Sequence, residues 1–380
     1  MARSRNVGPA TWSRLIARFG SAARALEALP DLAARGGAKT FQVCSLAQAE
    51  KELEAGQAVG ARLAVAGRPD YPRMLAQLQD PPPVVWLRGG EAALARPAAA
   101  LVGGRNASAL GLRLAESMAR DLAAAGWCVV SGLARGIDGA AHRGALAGAE
   151  AGGTLAVLAG GIDHAYPPEH AALLEEVAEG GGLVSEAPPG LEPQSRHFPR
   201  RNRLISGLAR GVVLVEAAER SGSLITARYA IEQGRDVAAV PGAPLDPRSE
   251  GGNGFIRDGA VLVRHAEDVI EAFREGLGAD RALDADGDLA DDGGPGAAEE
   301  AGGLAEAGSR FARAEADAAA ADRRHRASVR ALLGLAPVEE DALARLSGAP
   351  LAAVAEALLE LELAGRLDRR PGGLVALMPE

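Results

Sequence analysis

Between residues 98 and 273, short and mostly apolar runs recur at regular intervals, with helical patterns between them. The runs are Ala98–Val102, Cys128–Ser131, Thr154–Ala159, Leu183–Ser185, Val212–Val215, Val237–Val240 and Ala260–Val263. A strand with one wet face alternates apolar and polar residues, whereas a short continuous apolar run fits a strand buried on both faces. Strands of that kind, separated by helices such as Ala109–Ala125 and Leu224–Gln233, imply βαβ units. The expected fold class is therefore α/β, with an extended, Rossmann-like, doubly wound and mostly parallel sheet. Such sheets bind ligands outside the C-terminal ends of their strands, so the loops after the strands are where function is sought.

The chain has 380 residues, enough for two or three domains, and composition divides it four ways. Residues 6–60 read as a small N-terminal helical module of SAM or helix-hairpin-helix type. Its helices are Thr11–Phe19, Ser21–Leu29 and Leu46–Ala55, punctuated by Gly20, Pro30 and Gly36–Gly37. Residues 61–275 hold the sheet. Residues 276–322 crowd Asp280, Asp284, Asp286, Asp288, Asp291, Asp292, Glu299 and Glu300 among Gly and Ala, the composition of a flexible acidic linker. Residues 323–380 regain periodicity, with one helix around Val329, Leu332 and Leu333, a second over Val338–Leu346 and a third over Leu351–Ala364. Arg366–Asp368 and Gly373–Leu377 then flank a turn at Pro371–Gly372. Three helices and a hairpin make a winged-helix pattern, and a helical dimerisation or protein-docking module fits it as well.

A formal net charge of −9 excludes a basic nucleic-acid binder overall but leaves room for a local basic patch. Lys39 and Lys51 are the only lysines, so the cations are almost all Arg, which suits bidentate phosphate contacts. Cys44 and Cys128 lack CxxC spacing and read as reduced, buried thiols. No apolar run approaches a membrane span, and MARSRNVGPA lacks a signal core. The chain is expected to be soluble and cytoplasmic. His164 and His170 flank Tyr166–Pro167–Pro168 without Cys nearby, so no metal is expected.

Five loops are informative. Gly103–Gly104–Arg105–Asn106 closes the first run ahead of a helix from about Ala109. It offers close backbone approach, a helix N-terminus and a forked donor to a phosphate. Ser108 breaks the dinucleotide fingerprint, and no acid closes the next strand. Ser131-Gly-Leu-Ala-Arg-Gly-Ile-Asp138, with His142 four residues beyond, gives either an acid/base pair or a loop-shaping hydrogen bond. Residues 196–203 read Arg-His-Phe-Pro-Arg-Arg-Asn-Arg, and between Glu192 and Glu216 there are five arginines and no acid. Arg196, Arg200, Arg201 and Arg203 beside Phe198 describe a single-strand site, with phosphate donors around a stacking ring. Glu216 is followed by Ser221–Gly222–Ser223 opening a helix, an anion cradle or a plain N-cap. Val240–Pro241–Gly242 and Asn253–Gly254 read as strand-end turns.

In this order GGRNAS, SGLARGIDGAAH, AGGIDHAYPPEH, HFPRRNRLISGLARGVVLVEA and SGSLITARYAIEQGRDVAAVPG resemble the DNA-processing protein A family (DprA, or Smf). DYPRMLAQLQDPPPVVWLRG is similar to the family's lead-in to its sheet, and the tail looks like the winged helix that many members carry. The resemblance implies a single-stranded DNA-binding protein of natural transformation and recombination. It would protect incoming strands, load the RecA recombinase, form a homodimer, use no cofactor and catalyse no reaction. By resemblance the phosphate-contacting turn falls on Gly103, Gly104 and Arg105, and the Phe-Pro-x-Arg-Asn-Arg motif on Phe198, Arg201, Asn202 and Arg203. Two positions where members often carry Lys hold Ser195 and Pro168 here.

Two other readings compete. Glu216, the Ser221–Thr226 cradle and Asp138–His142 would suit a nucleotide-hydrolysing enzyme on a related Rossmann-like fold. Alternatively the tail is a duplex reader, although Leu351–Ala364 carries three glutamates and no Arg or Lys. Arg366, Arg369 and Arg370 on the wing would then be its phosphate contacts.

Overall fold

The computed structural model describes residues 1–149, 152–274, 324–370 and 373–378. The expected acidic linker, residues 276–322, lies outside the described residues. Two helices, α1 (Pro9–Phe19) and α2 (Ala22–Arg35), open the chain. The sheet region holds helices α3 (Leu46–Ala58), α4 (Arg73–Ala76), α5 (Glu91–Leu94), α6 (Ala109–Ala124), α7 (Ile137–Gly148), α8 (Ala171–Gly180), α9 (His197–Gly207), α10 (Ser223–Glu232), α11 (Glu250–Arg257) and α12 (Ala266–Ala272). Its strands are β1 (Arg62–Val65), β2 (Val84–Gly89), β3 (Ala98–Val102), β4 (Cys128–Ser131), β5 (Thr154–Leu158), β6 (Gly182–Ser185), β7 (Gly211–Leu214), β8 (Asp236–Ala239) and β9 (Val261–Leu262). The tail adds α13 (residues 324–332), β10 (Val338–Glu339), α14 (Glu340–Ser347), α15 (Leu351–Leu363), β11 (Leu367–Arg370) and β12 (Leu374–Leu377).

The strand order is β1-β2-β6-β5-β4-β3-β7-β8-β9, parallel from β6 to β9. The chain winds outward from β3 in one direction through β4, β5 and β6, and in the other through β7, β8 and β9. All seven apolar runs are strands. Those from β3 to β7 are buried along their whole length because helices cover both faces. Alternate residues sort to opposite faces: Ala98, Ala100 and Val102 join one core, Ala99 and Leu101 the other. The apolar-run criterion missed β1 and β2. β2 adds antiparallel to β6 at one edge, with Trp86 opposite Ser185, and β1 adds antiparallel to β2; their lighter burial leaves a weaker signal. Trp86 is buried, and its indole N–H donates to Glu52 at 3.0 Å.

The described residues of 1–46 and of 324–378 form one compact unit, and those of 47–274 the other. By this division all of α3 but its first residue lies in the sheet unit. Pro30 does not end α2, which continues to Arg35. Leu29 lies before the proline and Leu32 and Ala33 after it, all buried with Leu15 of α1 and with Leu359 and Leu363 of α15. Burial of that continuous face outweighs the one backbone hydrogen bond that proline removes.

The tail is a three-helix module with a three-stranded sheet ordered β10-β12-β11. The predicted second helix begins two residues late, because Val338 and Glu339 pair with Val375 and Leu374. α15 occupies the groove-reading position, and while Val354, Leu358 and Leu361 fill the tail's own core, Leu359 and Leu363 pack on α1 and α2. Glu360 is buried, with its carboxylate accepting from Arg326 at 3.3 Å and Arg330 at 2.9 Å. Arg330 also donates to the Arg35 carbonyl at 2.7 Å, Arg18 pairs with Glu356 at 2.8 Å, and the Asn6 amide donates to the Leu363 carbonyl at 2.9 Å. Of the three wing arginines expected to meet phosphate, two are engaged by acids within the module and Arg366 is exposed. Arg369 pairs with Glu340 and Glu362, and Arg370 pairs with Asp368 at 2.9 Å.

Both cysteines are free. Cys128 is buried, with its thiol pushed up to about 12 by burial, whereas Cys44 is only half-buried. Among the described residues no single helix is long and apolar enough to cross a membrane. Truncating Leu363 to Ala removes a fully buried side chain from the shared core, at an expected cost of about 2–5 kcal/mol. Hydrogen exchange should then accelerate in α1 and α2 as well as in α15. Unchanged exchange in α1 and α2 would show that the two ends of the chain do not fold as one unit.

Candidate nucleic-acid interface

The strand order reverses between β3 and β7, and a cavity of about 420 Å³ opens beyond their C-terminal ends, where open α/β sheets bind ligands. Its walls come from four separate segments, loops and the first turns of helices: Gly103 and Arg105, Ala134 and Asp138, Phe198 with Arg201 and Asn202, and Ser221 with Gly222, Ser223 and Thr226. Of the candidate binding residues, Gly103, Arg105, Phe198, Arg201, Asn202, Ser221, Gly222 and Ser223 line this cavity. Gly104 lies in the turn beside it. Arg196 and Arg200 are exposed where α9 starts, and Arg203 faces away.

The turn after β3 is fixed from two sides. The Gly104 N–H donates to the Glu216 carbonyl at 2.6 Å, and the Gly104 carbonyl accepts from the Ile137 N–H at 3.3 Å. Gly136, which precedes α7, has φ +77°, and a Cβ there would run into the Gly104 carbonyl. The Glu216 carboxylate accepts from the Ser108 N–H at 2.8 Å and the Ser108 hydroxyl at 2.5 Å, and it lies against Gly111. The N-terminus of α6 thus carries its own anion and does not offer its partial charge to a ligand, as the Gly-rich turn had suggested. At α10 the Ser221 and Ser223 hydroxyls are 2.7 Å apart, and the Asn202 amide donates to the Gly222 carbonyl at 3.3 Å, joining α9 to α10.

Phe198 is half-buried at the cavity wall. The Arg105 guanidinium lies 5.2 Å from its ring centroid and that of Arg201 5.9 Å, both within cation–π range. A second ring, Tyr166, packs against it at 5.0 Å between centroids with the planes tilted by 59°. Sequence reasoning did not place Tyr166 here. Its segment drew notice for possible metal ligands and for the resemblance carried by AGGIDHAYPPEH, not for the ring, although a chain with 3% aromatic residues makes every ring informative. Among the described residues no group of three His, Cys, Asp or Glu side chains is placed to hold a metal.

The arginine cluster divides. Arg201 is buried, donating to the Gly132 carbonyl at 2.7 Å and to the Val157 carbonyl, and burial lowers its pKa to about 10. The nearby Asp138 is buried too. Its Oδ2 accepts from the Gly132 and Ala134 N–H groups at 3.1 and 3.4 Å, and burial raises its pKa. Arg203 is buried against Glu186 at 2.8 Å and the Asp80 carbonyl at 3.3 Å. The local absence of acids pointed to solvated arginines, but the fold supplies acids from elsewhere in the chain. Arg105, Arg196 and Arg200 stay exposed with no acidic partner among the described residues.

Asp138 and His142 do not pair with each other; both shape the loop after β4. Leu133 adopts φ +55° while fully buried. Its N–H donates to His142 Nε2 at 3.3 Å, and its carbonyl accepts from His170 Nδ1 at 2.9 Å. His142 Nδ1 lies 2.7 Å from the Thr154 hydroxyl, which donates to the Val129 carbonyl. This network leaves Nδ1 protonated and Nε2 accepting. Burial, reinforced by His170 and Arg201, holds the His142 pKa down at about 3.

Residues 62–274 match the family described as DNA recombination-mediator protein A, residues 1–55 the DprA-like N-terminal HHH domain, and residues 313–373 the DprA winged helix domain. The chain is 43% identical over 206 residues to the DNA processing protein DprA of Bacillus subtilis, covering 54% of this chain and 69% of that protein. It is 40% identical over 308 residues to protein Smf of Escherichia coli, covering 81% and 75%. The crystal structure of DNA processing protein A from Streptococcus pneumoniae superposes with a TM-score of 0.55 at 38% identity, over 60% of this chain and 78% of that one. That of Helicobacter pylori, described for its single-stranded DNA binding mode, gives 0.50 at 26% identity, over 56% and 96%.

A histidine kept neutral in the fold but protonated when unfolded makes stability fall on acidification. Its contribution is full above the unfolded value near 6.5 and is lost towards about 3. Between pH 5.5 and 4, His142→Gln should flatten the pH dependence of the unfolding free energy by up to about 1.4 kcal/mol per pH unit. Equal slopes in both proteins would contradict the neutral assignment.

Proposed function

The chain belongs to the DNA recombination-mediator protein A family and has that family's role in DNA processing, and we propose that it performs it by binding single-stranded DNA across the cavity at the β3–β7 reversal. The observation that carries this reading is the convergence of Arg105, Phe198 and the α10 N-terminus on one cavity, with Arg196 and Arg200 exposed nearby at the start of α9. Backbone phosphates need forked donors, and unstacked bases need a ring. The glycines at 103 and 104 let a strand approach the β3 end closely, and the Ser221 and Ser223 hydroxyls add donors. Arg201, Asn202 and Arg203 act mainly by holding α9 in place.

The same reading extends to partners. The protein would protect incoming strands in natural transformation and load the RecA recombinase onto them. It would act as a cytoplasmic homodimer, without cofactor, metal or chemical step. Nucleotide hydrolysis is the weaker reading, because the groups it would use are already engaged: Glu216 on Ser108, Asp138 on two backbone N–H groups, and His142 on Leu133 and Thr154. Duplex reading by the tail is weaker as well, since α15 faces the N-terminal helices.

Fluorescence anisotropy with single-stranded and duplex oligonucleotides tests the site. Arg105→Glu and Arg200→Glu should each lower single-strand affinity by about tenfold or more, with the fold intact. The slope of log affinity against log salt should flatten by about 0.7 for each phosphate that is no longer neutralised. Arg203→Ala should instead destabilise the sheet unit by about 1–3 kcal/mol, by removing a buried guanidinium that bonds Glu186 and the Asp80 carbonyl. Unchanged binding in both charge reversals would remove the assigned site. For the partner, RecA filament growth on a strand coated with single-strand-binding protein should start sooner in the presence of this protein, and unaltered lag times would rule out loading.

A further inference from the structure

Tyr166 is 43% exposed, an unusual place for a large ring in a chain so poor in aromatics. Tyr71 shows the contrast: it is buried, with its hydroxyl donating to the Pro82 carbonyl at 2.7 Å. The exposed ring of Tyr166 instead contacts Phe198 at the wall of the cavity. We propose that Tyr166 is a second base-stacking position, so that neighbouring bases of one strand engage two adjacent rings. The assignment rests on the single-strand reading of this cavity and deepens it.

Three observations support it. Tyr166 adds a tilted, solvent-open ring beside Phe198, whose own ring already has the Arg105 and Arg201 guanidinium groups near it. Both sides of its loop are pinned. The His164 N–H donates to the Gly161 carbonyl at 3.0 Å, and the His170 N–H to the Pro167 carbonyl at 3.0 Å, while the His170 ring holds the Leu133 carbonyl. A pinned ring loses little freedom when a base lands on it. The surrounding charge also suits the polymer: the exposed Arg105 guanidinium lies over the Phe198 ring. Stacking accepts any base, because every base has a π-face, so two adjacent rings fit a binder without sequence preference.

The test compares a thymidine oligomer with an abasic deoxyribose-phosphate oligomer of equal length, on the full chain. Tyr166→Ala should weaken binding to the thymidine oligomer about tenfold and leave abasic binding unchanged. Tyr166→Phe should keep wild-type affinity, since the ring and not the hydroxyl is needed. In a Phe198→Ala background, Tyr166→Ala should cost a further loss, because two independent stacking positions contribute separately. An unchanged affinity in Tyr166→Ala, an equal loss on both oligomers, or no added loss in the Phe198→Ala background would each overturn the assignment. In those cases Tyr166 merely props Phe198 or faces solvent, and the single-strand reading stands. If the wild-type chain binds neither oligomer at low salt, the single-strand reading falls and this assignment with it.

Discussion

Glu216 fastens the two innermost strand ends to one another. It follows Val215 at the end of β7; its carbonyl receives the Gly104 N–H after β3, and its carboxylate seats Ser108 at the start of α6. A reversal of strand order opens a crevice in any doubly wound sheet, but an open crevice is also a place where two loops can drift apart. One residue here ties both loops together through main chain and side chain, and so fixes where Arg105 starts. Gly111 makes room for the carboxylate, since a Cβ at that position would collide with it. The partial charge at the N-terminus of α6 is used for architecture, and the binding charge at the cavity has to come from arginine side chains.

Those arginines show how a fold redistributes charge that the sequence presents as one cluster. Arg196, Arg200, Arg201 and Arg203 lie within eight positions of one another. On a helix they fan out around the axis. Two turn inward and meet Asp138 and Glu186, brought from the loops after β4 and β6, while the others remain in solvent. A buried cation without hydrogen-bonded partners would be too costly to keep, so the inward pair is tied to carbonyls and carboxylates and braces α9 against the sheet. The outward pair and Arg105 can then act on a ligand held over a rigid floor.

Much of this was legible in the sequence, for a specific reason. Strands buried on both faces must be apolar throughout, so Ala98–Val102 and its successors could be read directly, and the strand-end rule then pointed to the turn at Gly103 and the cradle at Ser221. The signal failed where burial is partial or partners are remote. β1 and β2 lie at the antiparallel edge and lack the uniform apolar pattern. Pro30 reads as a helix stop until the face it interrupts is seen packed on α15. Tyr166 is ordinary in its own segment and becomes informative only beside Phe198, 32 residues later. Pairings such as Arg203 with Glu186 and Glu360 with Arg326 depend on tertiary geometry, which no spacing rule reports.

The same reasoning resolves the tail. As a sequence, residues 323–380 offer arginines on a wing and a third helix of winged-helix length, which invites a duplex-reading role. In the structure that helix carries Glu356, Glu360 and Glu362 into contact with arginines of its own unit: Arg18, Arg326 and Arg330, then Arg14 and Arg369. Each of these cations is answered by a carboxylate. Those five cations are therefore not free to release counterions from a duplex, and counterion release dominates affinity for nucleic acid. In the sheet unit the converse holds, for Arg105, Arg196 and Arg200 stand without acidic partners among the described residues, at or near a cavity that carries an aromatic wall. An acidic chain with a net charge of −9 can thus hold a nucleic-acid site, provided a few cations at one cavity are left without acidic partners.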